Sequence, residues 1–254
     1  MATLTSYILE ITKSGQSVLA DFLSFLARPN IKASRAPTIT SRLVLVIWLL
    51  AISFAVTAFF AILAIPVVMF SEVAVGDKLA GVLDRPALSM LVALVFLGPL
   101  LEEMMFRGWL TGSYRSVVAT ATFLGVLYGG AHLLEILSNK PPEEGALVVI
   151  AVLAFLLFFA IERTRNPARP DFYGKVFPYI FWLQGIIFGS LHFANAEGSS
   201  FLLPLLVTMP LIICGWLFAY ARIVAGFGSA WLLHGLYNVP PALGAILIPI
   251  FFGQ

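Results

Sequence analysis

From residue 43 to residue 70 the chain reads LVLVIWLLAISFAVTAFFAILAIPVVMF, a run without a single charged position. A helix crosses the hydrocarbon core of a bilayer in roughly 20 residues, so this run is long enough to span it. Further apolar runs follow at about 87–110, 116–137, 145–162, 176–197, 200–221 and 227–253. Together they predict an all-α, polytopic transmembrane bundle of seven spans. Pro240 and Pro241 interrupt the last run. Proline removes a backbone donor and clashes with the preceding turn, so this pair predicts a break or kink and allows an eighth short helix. A membrane β-barrel would show short segments of alternating polarity, which the chain lacks.

Residues 1–40 differ from the rest. Ile8, Leu9, Val18, Leu19, Phe22, Leu23, Phe25 and Leu26 recur at roughly helical spacing among Lys13, Asp21 and Arg28. The pattern predicts an amphipathic helix at the membrane surface, ahead of a transmembrane domain over 41–254. A cleavable signal peptide fits poorly, because the start lacks a charged region followed by a compact apolar core.

Composition agrees with a bilayer as the solvent: 60% of the 254 residues are hydrophobic and 11% are charged. The formal charge of +2 is too small to suggest a nucleic-acid partner. Cys214, the sole cysteine, has no internal disulfide partner and reads as a small packing residue. With the N-terminus in the cytoplasm, every Lys and Arg except Lys78, Arg85 and Lys140 falls on the cytoplasmic side of the predicted spans. The partners this implies are the bilayer itself and membrane-associated molecules; oligomeric state stays open.

An ionisable side chain inside a bilayer is costly and is a functional candidate by default. The set is small: Glu102, Glu103, Arg107, His132, Glu135, His192 and His234. In EEMMFR (102–107), Glu103 and Arg107 are four residues apart with the acid first, the better order for a helical ion pair. Glu102 lies about 100° around the helix with no basic residue one turn away. One acid therefore reads as structural and the other as available for chemistry, and a carboxylate held in low dielectric suits a general base working near neutrality. In FGSLH (188–192), Phe188 and His192 share a helix face, and Gly185 and Gly189 permit close helix approach. In HGLYN (234–238), His234 and Asn238 share a face. Glu135 reads as interfacial. His132, in YGGAH, reads either as a packed core histidine bonded to a carbonyl or as a degenerate form of the Phe-x-x-x-His pattern.

These three motifs, in this order, resemble the CPBP family of intramembrane proteases, which includes the Rce1-like CAAX prenyl endopeptidases. The family pattern is Glu-Glu-x-x-x-Arg, Phe-x-x-x-His, then His-x-x-x-Asn or Asp. The resemblance implies a membrane-embedded endopeptidase acting on membrane-anchored or prenylated-type protein substrates. It implies that Glu102 and His192 activate a water, that His234 and Asn238 stabilise the oxyanion, and that Glu103, Arg107 and Phe188 support the site. It also implies no metal cofactor, with zinc on Glu102, His192 and His234 as the alternative, and residence in a prokaryotic plasma membrane. The interval from Glu103 to His192 is longer than the family pattern leads one to expect, so 116–162 reads as an inserted pair of spans.

Other chemistries fit less well. A zinc protease of the His-Glu-x-x-His type lacks its string, and Asp21, Asp77, Asp84 and Asp171 fall outside the spans, which argues against an aspartyl protease. Ser190 or Ser229 with His234 lacks the Gly-x-Ser-Gly setting of a serine protease. A non-catalytic immunity or binding protein on the same scaffold, and a proton-coupled transporter, remain as other classes; matching broken repeats expected of many transporters are not apparent.

Overall fold

The structure is a computed structural model, and it describes residues 4–33, 36, 38–70, 73–75, 86–164, 168–193, 196–198 and 201–252. Arg35, Lys78, Arg85 and Arg165, which enter the charge-sidedness reading, and Asp77 and Asp84 lie outside the described residues. Along the chain run α1 (Leu4–Ala27), α2 (Ile39–Met69), β1 (Val73–Val75), α3 (Ala87–Arg107), α4 (Tyr114–Ser138), α5 (Glu144–Glu162), α6 (Tyr173–Ser190), β2 (Ala196–Gly198), α7 (Leu202–Ala225) and α8 (Phe227–Phe252). The two strands, which the sequence reading does not anticipate, pair antiparallel with Val73 opposite Gly198.

Among the described residues five helices, α2, α3, α4, α5 from Gly145, and α7, are long and apolar enough to cross a membrane. They coincide with five of the seven expected runs. α6 and α8 are 18 and 26 residues long, and in α6 Lys175, Pro178 and Gln184 interrupt the apolar composition. The expected break at Pro240–Pro241 is not present, since α8 is helical from Phe227 to Phe252. Two other helices change pitch instead. α3 is a π-helix over Val92–Leu97 and α4 over Gly125–Gly129.

The chain divides into two compact units, Met1–Leu100 with Phe177–Gln254, and Leu101–Val176. In the first, α7 is the central helix: 56% of its apolar window is buried, against 28% or less for the other candidate spans. α2 starts on a reciprocal cap, in which Thr38 and Ser41 each accept the other's backbone N–H. α2 buries Leu45, Val46, Leu49 and Ser53 and exposes most of its length, as a lipid-facing helix does. Ser53 returns its hydroxyl to the Leu49 carbonyl at 2.8 Å, satisfying itself in apolar surroundings. α1 does not spend its whole apolar face on a bilayer. Phe22 and Phe25 are buried, with ring centroids 5.5 and 5.0 Å from Tyr220 of α7, while Leu19 and Leu23 stay exposed.

α6 meets α7 through glycines, as the sequence leads one to expect. A Cβ on Gly185 would stand 2.2 Å from the Trp216 ring, and one on Gly189 would stand 2.6 Å from the Ile212 backbone nitrogen. Helix contact in a membrane relies on such close packing, because lipid offers no hydrophobic drive for two helices to meet.

In the second unit α4 packs on α5 through Ala119 and Phe123 against Ala154, Phe155 and Phe158, with edge-to-face rings 6.0 and 6.4 Å apart. Ser113 caps α4 by accepting the Ser116 N–H.

Gly189→Ala should therefore lower the unfolding free energy by about 1–3 kcal/mol through overpacking against backbone that cannot yield. Gly228→Ala, where an added Cβ meets nothing within 4 Å, should be neutral or mildly stabilising. Thermal unfolding in detergent compares the two.

Candidate functional site

In the Leu101–Val176 unit, the C-terminal end of α3 carries the paired acids. The expected ion pair forms: Arg107 donates through Nη1 to Glu103 Oε1, and both side chains are 0% exposed. Its sense also suits the helix, with the cation in the last turn where the partial negative charge of the helix end lies. Gly108 follows immediately, and a Cβ there would stand 2.5 Å from Thr120 Oγ1 and 3.2 Å from the Phe158 ring. Only a residue without a side chain lets α4 and α5 close over the pair. Gly112 then turns the chain with φ of +65°, and Tyr173 donates its hydroxyl to the Leu110 carbonyl at 2.9 Å. Glu102 is half-buried.

His132 lies in the same unit and does not occupy a packed core, contrary to that reading of it. Its side chain is 72% exposed, with Nδ1 3.7 Å from the exposed Glu135 carboxylate. The physical reason is its position: α4 packs through Ala119, Thr120 and Phe123, and its last turns, after the π segment, bury nothing.

The unit containing residues 177–254 holds the other motif residues. Phe188 is buried and its ring packs against two imidazoles, with centroids 5.1 Å from His192 and 5.6 Å from His234. His192 is half-buried, and its Nδ1 is 2.9 Å from the Phe188 carbonyl oxygen. A carbonyl oxygen can only accept, so Nδ1 carries the proton and Nε2 is the basic nitrogen of the neutral ring. His234 is buried, stacked on Phe218 at 4.5 Å with 23° between planes. A histidine in this position is oriented by aromatic faces.

Asn238 takes a different partner from His234, although the two share the helix. Its Nδ2 donates to the Leu94 carbonyl in the π segment of α3 at 2.9 Å. Trp231 donates its indole N–H to the Phe96 carbonyl at 3.2 Å, and a Cβ on Gly235 would stand 2.7 Å from the Val95 oxygen. Residues 231, 235 and 238 thus present one face of α8 to three successive carbonyls of the π turn, in antiparallel order. A π turn bonds its carbonyls five residues on, as Gly98 N–H does to Ala93 O, and α8 supplies side-chain donors to two of its carbonyls, Leu94 and Phe96. The sequence reading missed this seam, and also missed Phe218 and the buried Gln184, whose Nε2 donates to the Phe181 and Gly215 carbonyls. The i, i+4, i+7 spacing of Trp231, Gly235 and Asn238 was the available signal; nothing in VALVFL announces a π turn.

Among the described residues no group of three or more His, Cys, Asp or Glu side chains could hold a metal ion.

Residues 84–170 match the family of type II CAAX prenyl endopeptidase Rce1-like proteins. Over that segment, about a third of the chain, the sequence is similar to the Rce1-like family. The Rce1-like segment contains EEMMFR with its buried ion pair, and also His132; Phe188, His192, His234 and Asn238 lie C-terminal to it. No curated protein and no solved structure matches the chain.

Removing half of a buried ion pair leaves a charge without compensation and costs about 3–5 kcal/mol. Glu103→Gln and Arg107→Gln should each lose stability on that scale, whereas Glu102→Gln, at a half-buried position, should lose less. Equal losses for Glu102→Gln and Glu103→Gln in thermal unfolding would refute the division between the two acids.

Proposed function

We propose that the protein is an intramembrane endopeptidase that hydrolyses peptide bonds of membrane-anchored or prenylated-type protein substrates. The observation that carries this reading is the Rce1-like segment with EEMMFR inside it, whose Glu103–Arg107 pair is fully buried. In this reading Glu102 acts as the general base on a water, with His192 assisting through Nε2, the nitrogen that the bond to the Phe188 carbonyl leaves basic. His234 and Asn238 stabilise the oxyanion of the tetrahedral intermediate. The Asn238 amide has two N–H groups, and its bond to Leu94 uses one. Glu103, Arg107 and Phe188 hold the reacting groups in place without touching the substrate.

The same reading takes α6 and α8 as further membrane crossings, giving seven spans, with the N-terminus in the cytoplasm of a prokaryotic cell and the chain in its plasma membrane. It requires no metal. Zinc held by Glu102, His192 and His234 is the competing arrangement.

The test is cleavage by the purified protein in liposomes of peptides anchored by a transmembrane helix or a prenyl group, with products identified by mass spectrometry. Loss of a general base costs about 10²–10⁴-fold in rate, so Glu102→Gln should lose at least a hundredfold while remaining folded. Substrate binding without cleavage by the unaltered protein would favour an immunity or binding role, and proton flux without cleavage would favour a transporter.

Exhaustive chelation should leave the cleavage rate unchanged. Stoichiometric zinc, whose removal stops cleavage and whose return restores it, would overturn the glutamate mechanism.

A further inference from the structure

The second half of α1 and the segment after it form one wall of a groove of about 590 Å³, closed on the other side by the first turns of α2 and the last turns of α7. Its rim is fixed by backbone and caps: the Ala36 N–H donates to the Val224 carbonyl at 2.9 Å, Arg42 Nε donates to the Ala36 carbonyl at 3.1 Å, and Thr38 and Ser41 cap each other. The polar lining is Asp21, Ser24 and Arg28 from α1 and Ser41 from α2, set against apolar Phe25, Val44 and Tyr220.

Asp21 and Arg28 are seven residues apart, so they share a helix face and lie about 10.5 Å apart along it at 1.5 Å per residue. Neither is in an ion pair among the described residues. Ser24 stands between them on the same face. An acid at one end and a guanidinium at the other fit a ligand with a cation and an anion at fixed separation. An ammonium and a phosphate joined by two carbons carry such a pair of charges on one small headgroup. On the α2 side the groove opens along Val44, which is followed outward by exposed Ile47 and Phe54, an apolar track for acyl chains.

We propose that this groove binds one phosphatidylethanolamine of the surrounding bilayer, with its ammonium on Asp21 and its phosphate on Arg28 and the Ser24 hydroxyl. Phosphatidylcholine satisfies Arg28 but offers Asp21 no N–H donor. Phosphatidylglycerol offers Asp21 no cation. The lipid docks α1 to the bundle from the membrane side, while Phe22 and Phe25 dock it from within.

Native mass spectrometry of the full chain from mixed micelles containing equal phosphatidylethanolamine, phosphatidylcholine and phosphatidylglycerol reads the proposal directly. One phosphatidylethanolamine should be retained per chain, favoured over the other two by about five-fold, the scale of one partly exposed charge-assisted contact. Asp21→Asn should reduce phosphatidylethanolamine to the level of phosphatidylcholine, Arg28→Gln should lower both, and Lys140→Gln should change neither. Water-soluble phosphoethanolamine at the same concentration should not displace the lipid. Equal retention of all three lipids, indifference to Asp21→Asn in a variant whose thermal unfolding is unchanged, or displacement by phosphoethanolamine alone would overturn it.

Discussion

Taking a carboxylate and a guanidinium out of water costs several kcal/mol for each ion, and only close mutual pairing brings that cost back. Glu103 and Arg107 are both wholly buried, so the end of α3 has one acceptable arrangement: an unbroken helical turn that brings residue 107 over residue 103. The elements around it follow from that turn. Gly108 has no side chain because Thr120 and Phe158 occupy the space beside the pair. Gly112 reverses the chain in a left-handed conformation, and Tyr173 ties the Leu110 carbonyl down. A buried pair contributes little net stability over an apolar replacement, but it fixes the helical register of the residue beside it. Here that residue is Glu102.

The other unit solves a related problem with aromatic faces and carbonyls in place of opposite charge. Phe188 packs against both His192 and His234, Phe218 stacks on His234, and the Phe188 carbonyl sets the tautomer of His192. Asn238 and Trp231 donate to carbonyls of the π turn in α3. Polar groups at this depth are held by specific partners, as the cost of burying them without partners demands. Their orientation is therefore set before any substrate arrives.

Much of this was legible in the residues themselves. The Glu103–Arg107 pair follows from i, i+4 spacing and acid-first order, and the α6–α7 contact follows from glycines at 185 and 189, because both depend on geometry local to one helix. Five spans follow from run length. The π turn at Val92–Leu97 was not legible, since it is stabilised by α8, more than 130 residues later in the chain. The docking of α1 was hidden for a similar reason: Phe22 and Phe25 fit a lipid surface and an aromatic pocket equally well by pattern, and Tyr220 decides between them. For His132, sequence context could not tell a packed helix face from an open one. At Pro240–Pro241, propensity predicted a break where the helix continues.

The central claim is that a carboxylate-activated water, and not a protein nucleophile, attacks the peptide bond. Single-turnover cleavage in the presence of a competing small amine, with products identified by mass spectrometry, addresses it most directly. Direct attack by water gives only a product with a free carboxylic acid terminus, at a rate that the amine leaves unchanged. A product carrying the amine as an amide at the new terminus would reveal an acyl-enzyme and contradict the account.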